Sequence, residues 1–225
     1  MLVAGGARAD GHITTTAEVY DPRRDSWSPL APMPPNTLHS GSAPWSWPGL
    51  FSAVIDSGNL LVIGERFAGG EDFATSTVFD AATGSWTPSE PVVGAAPHYN
   101  VIAATQLSDG RVFAITNCWP NRGQGKAAIY GPFGWSAAAA PPFCADEDGG
   151  GLTTLPSGRA LLARARRAAI YDPSNDRWTN APPYRFPHVN LYDPCWVQAA
   201  PVPGGALIIG HGLNRFTAAE RFFEQ

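Results

Sequence analysis

The sequence predicts an all-β fold, a β-propeller of about five blade equivalents, on three observations. An aromatic-Asp pair recurs and is followed by a Trp. An apolar run lies upstream of each pair, and a Gly-ended turn lies before four of those runs. The spacing of that turn, through Gly58, Gly110, Gly158 and Gly205, is 52, 48 and 47 residues. A unit of about 50 residues built from four short strands and repeated radially is a propeller blade. Composition agrees. Charged residues are 15%, against roughly 25% in an average domain, and 24 Gly and 22 Pro suit tight turns between short buried strands better than long amphipathic helices.

Each strand of the unit has its own signal. Strand A is the stretch before the Gly turn, such as Val101 to Gln106, and two or three turn residues reverse the chain as a hairpin requires. Strand B is the apolar run: Met1 to Ala4, Leu60 to Ile63, Val112 to Ile115, Ala160 to Ala163 and Ala206 to Ile209. Continuous hydrophobicity predicts burial on both faces. Strand C ends in the aromatic-Asp pair, Tyr20-Asp21, Phe79-Asp80 and Tyr171-Asp172, with a looser copy at Tyr130-Gly131. The Asp is expected to hold the C–D turn through side-chain-to-backbone bonds. Strand D opens at the Trp: Trp27, Trp86 and Trp178 stand seven residues after the aromatic, and Trp135 follows Tyr130 more closely. These indoles are expected to wedge between adjacent blades, each burying roughly 150–250 Å². Gly5 or Gly6 is expected at positive φ after strand B.

The runs LVAGG…AEVYDPRRDSWSPLAPMP and AAIYDPSNDRW resemble kelch repeats, in which a Gly-Gly follows strand B, Tyr-Asp-Pro closes strand C and a Trp opens strand D. The resemblance spans nearly the whole chain, although only the first copy keeps the double glycine, Gly5-Gly6. It implies a kelch-type propeller, read as one domain over 1–225 with blade pieces at about 1–34, 50–92, 100–142, 150–183 and 196–225. It implies no single activity, because this fold carries enzymes and binding modules alike. The first copy supplies strands B, C and D and the last supplies A, B and C, so the expected total is eighteen strands where five full blades would hold twenty. Either the ring has two three-stranded blades or the chain is a piece of a larger ring; the fragment reading is preferred.

Strand alternation sets the candidate functional face. A–B and C–D turns fall at one end of every blade, and B–C loops (64–74, 116–126) and D–A crossings (31–50, 139–150) at the other. Long loops on a rigid scaffold concentrate binding residues. The candidates are His98, Tyr99, Asn100, Trp119, Asp146, Asp148, His188 and Asn190, with His39 nearby, expected around the mouth of the central channel. Tyr99 and Trp119 would serve as aromatic platforms for a sugar or a peptide. Asp146-Glu147-Asp148 before three glycines forms an acidic, adaptable loop. No catalytic residue, metal site or cofactor is assigned. Arg164, Arg166 and Arg167 form a basic hairpin that would pair with that acidic loop or meet an anionic partner, or simply stay solvated. Cys118 and Cys144 fall on loops of the same face, and a disulfide between them is one option if the protein is exported. Cys195 completes an odd set without a CxxC pair.

A net charge of −4 argues against phosphate-driven nucleic-acid binding. No apolar run approaches the ~18 residues of a membrane helix. MLVAGGARAD has no basic n-region, so no signal peptide is expected at this end, and the compartment is open: secreted or cell-surface as part of a longer protein is one possibility. One Lys beside 14 Arg suggests a GC-rich, bacterial genome rather than a function. The expected function is a non-enzymatic scaffold for a protein or carbohydrate ligand. The alternative is a copper radical oxidase, or an inactive relative, similar to galactose oxidase. That resemblance would put a Tyr-His pair at Tyr99-Asn100, ahead of Leu107-Ser108-Asp109-Gly110, and Asn in place of His removes a copper ligand.

Overall fold

The computed structural model describes residues 1–6, 14–34, 51–55, 58–68, 71–89, 91–92, 100–118, 125–144, 151–164, 167–182, 196–211 and 217–224. Among them are eighteen strands in five antiparallel sheets. The first sheet holds β1 (Leu2–Ala4), β2 (Ala17–Asp21) and β3 (Ser26–Leu30). The second holds β4 (Phe51–Val54), β5 (Leu60–Ala68), β6 (Glu71–Asp80) and β7 (Ser85–Pro88). The third holds β8 (Val101–Gln106), β9 (Val112–Thr116), β10 (Ala127–Gly131) and β11 (Gly134–Ala138). The fourth holds β12 (Gly151–Thr154), β13 (Ala160–Arg164), β14 (Arg167–Asp172) and β15 (Arg177–Ala181). The fifth holds β16 (Trp196–Val202), β17 (Gly205–His211) and β18 (Thr217–Phe223). Within each sheet neighbours in sequence are neighbours in space, the up-and-down order of a kelch-type propeller blade. The all-β expectation and the three-four-four-four-three strand count both hold. The chain divides into two compact units, Met1–Asn100 and Val101–Gln225.

In the second unit the runs of β9 and β13 are buried on both faces as expected, whereas in β17, whose sheet is the last of the five described, Ile209 is 38% exposed; the reason is geometric. The fourth sheet lies between the third and the fifth, so alternate residues of β13 enter different cores. Leu162 packs with Phe113, Ile115, Ile129 and Tyr171 on one side. Leu161 and Ala163 pack with Ile170, Val197 and Ile208 on the other. Burial on both faces removes the need for polar alternation. In the first unit Met33 and Val62 form one buried cluster, with Ala4, Leu60 and Trp86 against it, and Leu61, Ile63 and Ala74 are buried as well.

Two expectations are corrected. Strand β1 is not buried on both faces: Val3 is 48% exposed. It is the edge of a three-stranded sheet, and no inner strand pairs with it among the described residues. The stretch 64–74 is not a long B–C loop. The β5–β6 ladder continues from Gly64↔Thr75 to Ala68↔Glu71, and only 69–70 connects the two strands. That connector is Gly69-Gly70, the two-residue composition that favours a tight hairpin.

The C–D turns follow the expected chemistry and add to it. The Asp21 carboxylate accepts the Arg23 N–H (2.9 Å), Asp80 accepts those of Ala82 and Thr83, and Asp172 accepts that of Ser174. Five residues after the aromatic the chain must turn left-handed. Asp25 (φ 47°) and Asp176 (φ 55°) take that position in the first and fourth copies, and Gly84 (φ 69°) takes it in the second. Asp tolerates it because its carboxylate is held: the Tyr20 hydroxyl donates to Asp25 and the Tyr171 hydroxyl to Asp176, both at 2.7 Å. The second copy has Phe79, with no hydroxyl to give, and uses Gly, which carries no Cβ penalty there. Gly5 and Gly6 both have positive φ, as expected.

Candidate functional site

Trp86 and Trp178 show how one sheet registers on the sheet before it. The Trp86 indole N–H donates to the Ala31 carbonyl and the Trp178 indole N–H to the Ala139 carbonyl, both at 2.8 Å. Ala31 and Ala139 each lie four residues after the Trp of the preceding copy. Asp176 adds a second grip by accepting the Ala139 N–H at 2.7 Å. Trp135 is buried. Trp27 departs from its expected wedge: it packs on Tyr20 with centroids 5.1 Å apart but stays 46% exposed. Among the described residues of the first unit, no sheet lies on the side where an equivalent carbonyl would sit.

The sheet ends differ as strand alternation requires. In the second unit the A–B turns at one end are closed by Leu107 N–H to Arg111 C=O and Leu155 N–H to Arg159 C=O, each 2.7 Å. The C–D turns at that end span 132–133 and 173–176. At the opposite end β9, β11 and β15 finish and β10, β12 and β16 begin.

At that opposite end a cross-link is built. Cys118 and Cys144 form a disulfide with a Cα–Cα distance of 5.7 Å. It joins the exit of β9 to the connection between β11 and β12. Its setting is tightly made. Thr116, Asn117 and Cys118 are all buried. The Thr116 N–H donates to the Lys126 carbonyl (2.9 Å), and the Lys126 N–H donates to the Thr116 hydroxyl oxygen (3.0 Å). A Cβ on Gly125 would stand 2.6 Å from the Thr116 carbonyl oxygen, so only glycine lets the chain pass there. The Arg164 guanidinium donates to the Cys144 carbonyl. Arg164 therefore caps the disulfide's backbone, and Arg167, opposite it in the β13–β14 ladder, is exposed.

Of the eight candidate site residues, Asn100 is described, half-buried immediately before β8. His98, Tyr99, Trp119, Asp146, Asp148, His188 and Asn190 lie outside the described residues, as do His39, Glu147, Arg166 and Cys195. In sequence, Trp119 follows Cys118 directly and Asp146 stands two residues after Cys144. The disulfide thus anchors the two connections that carry them. Among the described residues there is no cluster of three His, Cys, Asp or Glu placed to hold a metal. No helix among them is long and apolar enough to cross a membrane.

Sequence reasoning missed the short-turn end, where charged groups are arranged with equal care. Arg111 pairs with Asp109 through Nε at 2.8 Å and Nη2 at 2.6 Å. The bond from Arg111 is the main reason the Asp109 carboxyl lies below its ordinary range. Arg159 reaches Glu224, just past β18, at 2.7 Å, and Ser157 bonds the same carboxylate through its N–H and its hydroxyl. Burial pushes Glu224 up, but the Ser157 and Arg159 bonds outweigh it and hold the carboxyl low. The Ser174 hydroxyl and N–H lower Asp172. The usable signal was the triplet Asp-Gly-Arg or Ser-Gly-Arg, at 109–111 and 157–159, which ends each turn in a cation beside a polar side chain.

A family model of the kelch motif matches residues 1–34, covering β1, β2 and β3. No curated protein matches the chain.

Proposed function

We propose, from a kelch motif at residues 1–34 continued by four further blade-like sheets, that this chain is a non-enzymatic recognition scaffold. Its ligand, a protein or a carbohydrate, docks on the end of the sheets that carries the long connections. The observation that carries the reading is the Cys118–Cys144 disulfide. It is spent on pinning two connections at the long-loop end, with Arg164 holding the same backbone. Anchoring binding loops lowers the ordering cost of association. In this reading His98, Tyr99, Asn100, Trp119, Asp146, Asp148, His188 and Asn190 supply the contacts, with Tyr99 and Trp119 as aromatic anchors.

The test is a glycan-array and cross-linking screen of the whole chain, repeated with His98→Ala and Asp148→Ala. The expected result is a ligand whose binding falls at least tenfold in the variants while thermal stability is nearly unchanged. Full binding by both variants would remove the long-loop end as the site. Incubation with copper tests the oxidase alternative. A radical absorption band with peroxide production from sugars or aldehydes at enzyme-like turnover would replace the scaffold reading.

A further inference from the structure

At the opposite end of the second unit, between the turns of the third and fourth sheets, lies a cavity of about 400 Å³. Small-molecule sites begin at about 300 Å³, so its size suits one or two sugar rings. Its polar lining includes Ser108, Asp109 and Arg111 from one A–B turn, Arg159 from the next, and Asp172 and Ser174 from the β14–β15 turn. We propose that this cavity is a second binding site, separate from the long-loop end, for a neutral polyhydroxylated ligand, that is, a saccharide.

The charge balance excludes the simpler ligands. Two arginines and two aspartates line the cavity, and Glu224 stands against one of the arginines, so two guanidinium groups face three carboxylates. Each arginine already faces a carboxylate, Arg111 on Asp109 and Arg159 on Glu224. A free anion would have to compete with those partners, and a free cation would have to displace the donors that Ser174 and Asn175 already give to Asp172. A sugar hydroxyl avoids both conflicts because it accepts from an arginine and donates to a carboxylate at the same carbon. The two aspartates are held ionised by their turn bonds, so they remain acceptors at neutral pH.

The site is also built before a ligand arrives. Asp172 is fixed by the Ser174 N–H, the Ser174 hydroxyl and the Asn175 amide. Asp109 is fixed by the Arg111 N–H and guanidinium. The two A–B turns are in contact: a Cβ on Gly158 would stand 2.4 Å from the Ser108 hydroxyl oxygen. Arg111 lies along Gly131, at 3.6 Å from where a Cβ would sit.

The experiment is calorimetric titration of the whole chain with a panel of neutral mono- and disaccharides, with inorganic phosphate and glycine betaine as charged probes. At least one saccharide is expected to saturate with a Kd in about the millimolar range. Amide shifts should map to Gly158 and Ser174. Arg111→Gln is expected to weaken binding at least tenfold. Ser174→Trp, which keeps the backbone N–H to Asp172 and fills the cavity, should abolish it. Reduction of the disulfide at the other end should leave it unchanged, which separates this site from the long-loop one. If Arg111→Gln fails to fold, Ser174→Trp and the shift mapping still decide. Saturation by no saccharide, tighter binding of phosphate or betaine, or undiminished binding by Ser174→Trp would each overturn the proposal.

Discussion

Ala139 is held at both ends of its backbone by one turn of the next sheet: its N–H by Asp176 and its carbonyl by Trp178. Tyr171 completes the device, because its hydroxyl holds the same Asp176 carboxylate and its ring stacks on Phe113 at 4.3 Å. Burial, and then the bond to Asp176, push the Tyr171 hydroxyl well above its ordinary range, so it remains a donor at any working pH. Asp176→Ala removes both bonds and leaves a side chain at positive φ; the expected loss is about 1–2 kcal/mol in chemical denaturation. Asp176→Gly should recover part of that, since glycine tolerates the left-handed turn. Trp178→Ala removes the packing as well and is expected to cost about 3–5 kcal/mol. A loss below about 1 kcal/mol would mean that Trp178 does not bridge the two sheets. The Trp spacing was legible in the sequence because it recurs at seven residues after the aromatic in three copies. The Asp176 role was not, because its partner backbone lies 37 residues away.

Strand β13 illustrates what an apolar run encodes. Leu161 and Leu162 are adjacent in sequence, both fully buried, and in different cores. Each Leu→Ala change should cost about 2–5 kcal/mol, and the two should be nearly additive in a double-mutant denaturation series because they share no core. The same sequence pattern misled for β1. An apolar run predicts burial only where a sheet lies on each side, and sequence does not say which strand ends as an edge. The long β5–β6 hairpin was hidden for a related reason: polar residues inside 64–74 resemble a loop until the Gly69-Gly70 pair is weighted as a hairpin turn. One element contact open to pH is Glu224, past β18, on the Arg159 turn. Its folded carboxyl lies below the unfolded value of about 4.5. Its stabilisation is therefore complete above that value and is lost as pH falls through the folded one. Glu224→Gln should flatten the acid limb of a melting-temperature profile below about pH 4.5 and leave its basic limb unchanged.

The two ends of the second unit are fastened by different chemistry, ionic at the short turns and covalent at the long connections. The disulfide closes a 26-residue span, so reduction should lower stability by roughly 3–4 kcal/mol in the chain-entropy account. A phosphine reductant followed by thermal melting checks this, and ligand binding at the long-loop end should weaken in parallel. The fold was largely written in the sequence, because turns, runs and indoles recur with a period. The candidate site was less so. Its residues come from different copies, and the cavity at the short turns depends on Ser108 meeting Gly158, a contact that no local pattern announces. One glycine sets a limit of another kind. Strand β12 approaches β16 so closely that a Cβ on Gly151 would stand 2.7 Å from the Ala199 nitrogen and the Gln198 carbonyl carbon. Gly151 is thus a spacer of zero thickness, and the angular pitch between the fourth and fifth sheets is set by what is missing from it. A methyl group there acts as a shim at the narrow edge of a wedge, and the displacement it forces grows with distance toward β15 and β18.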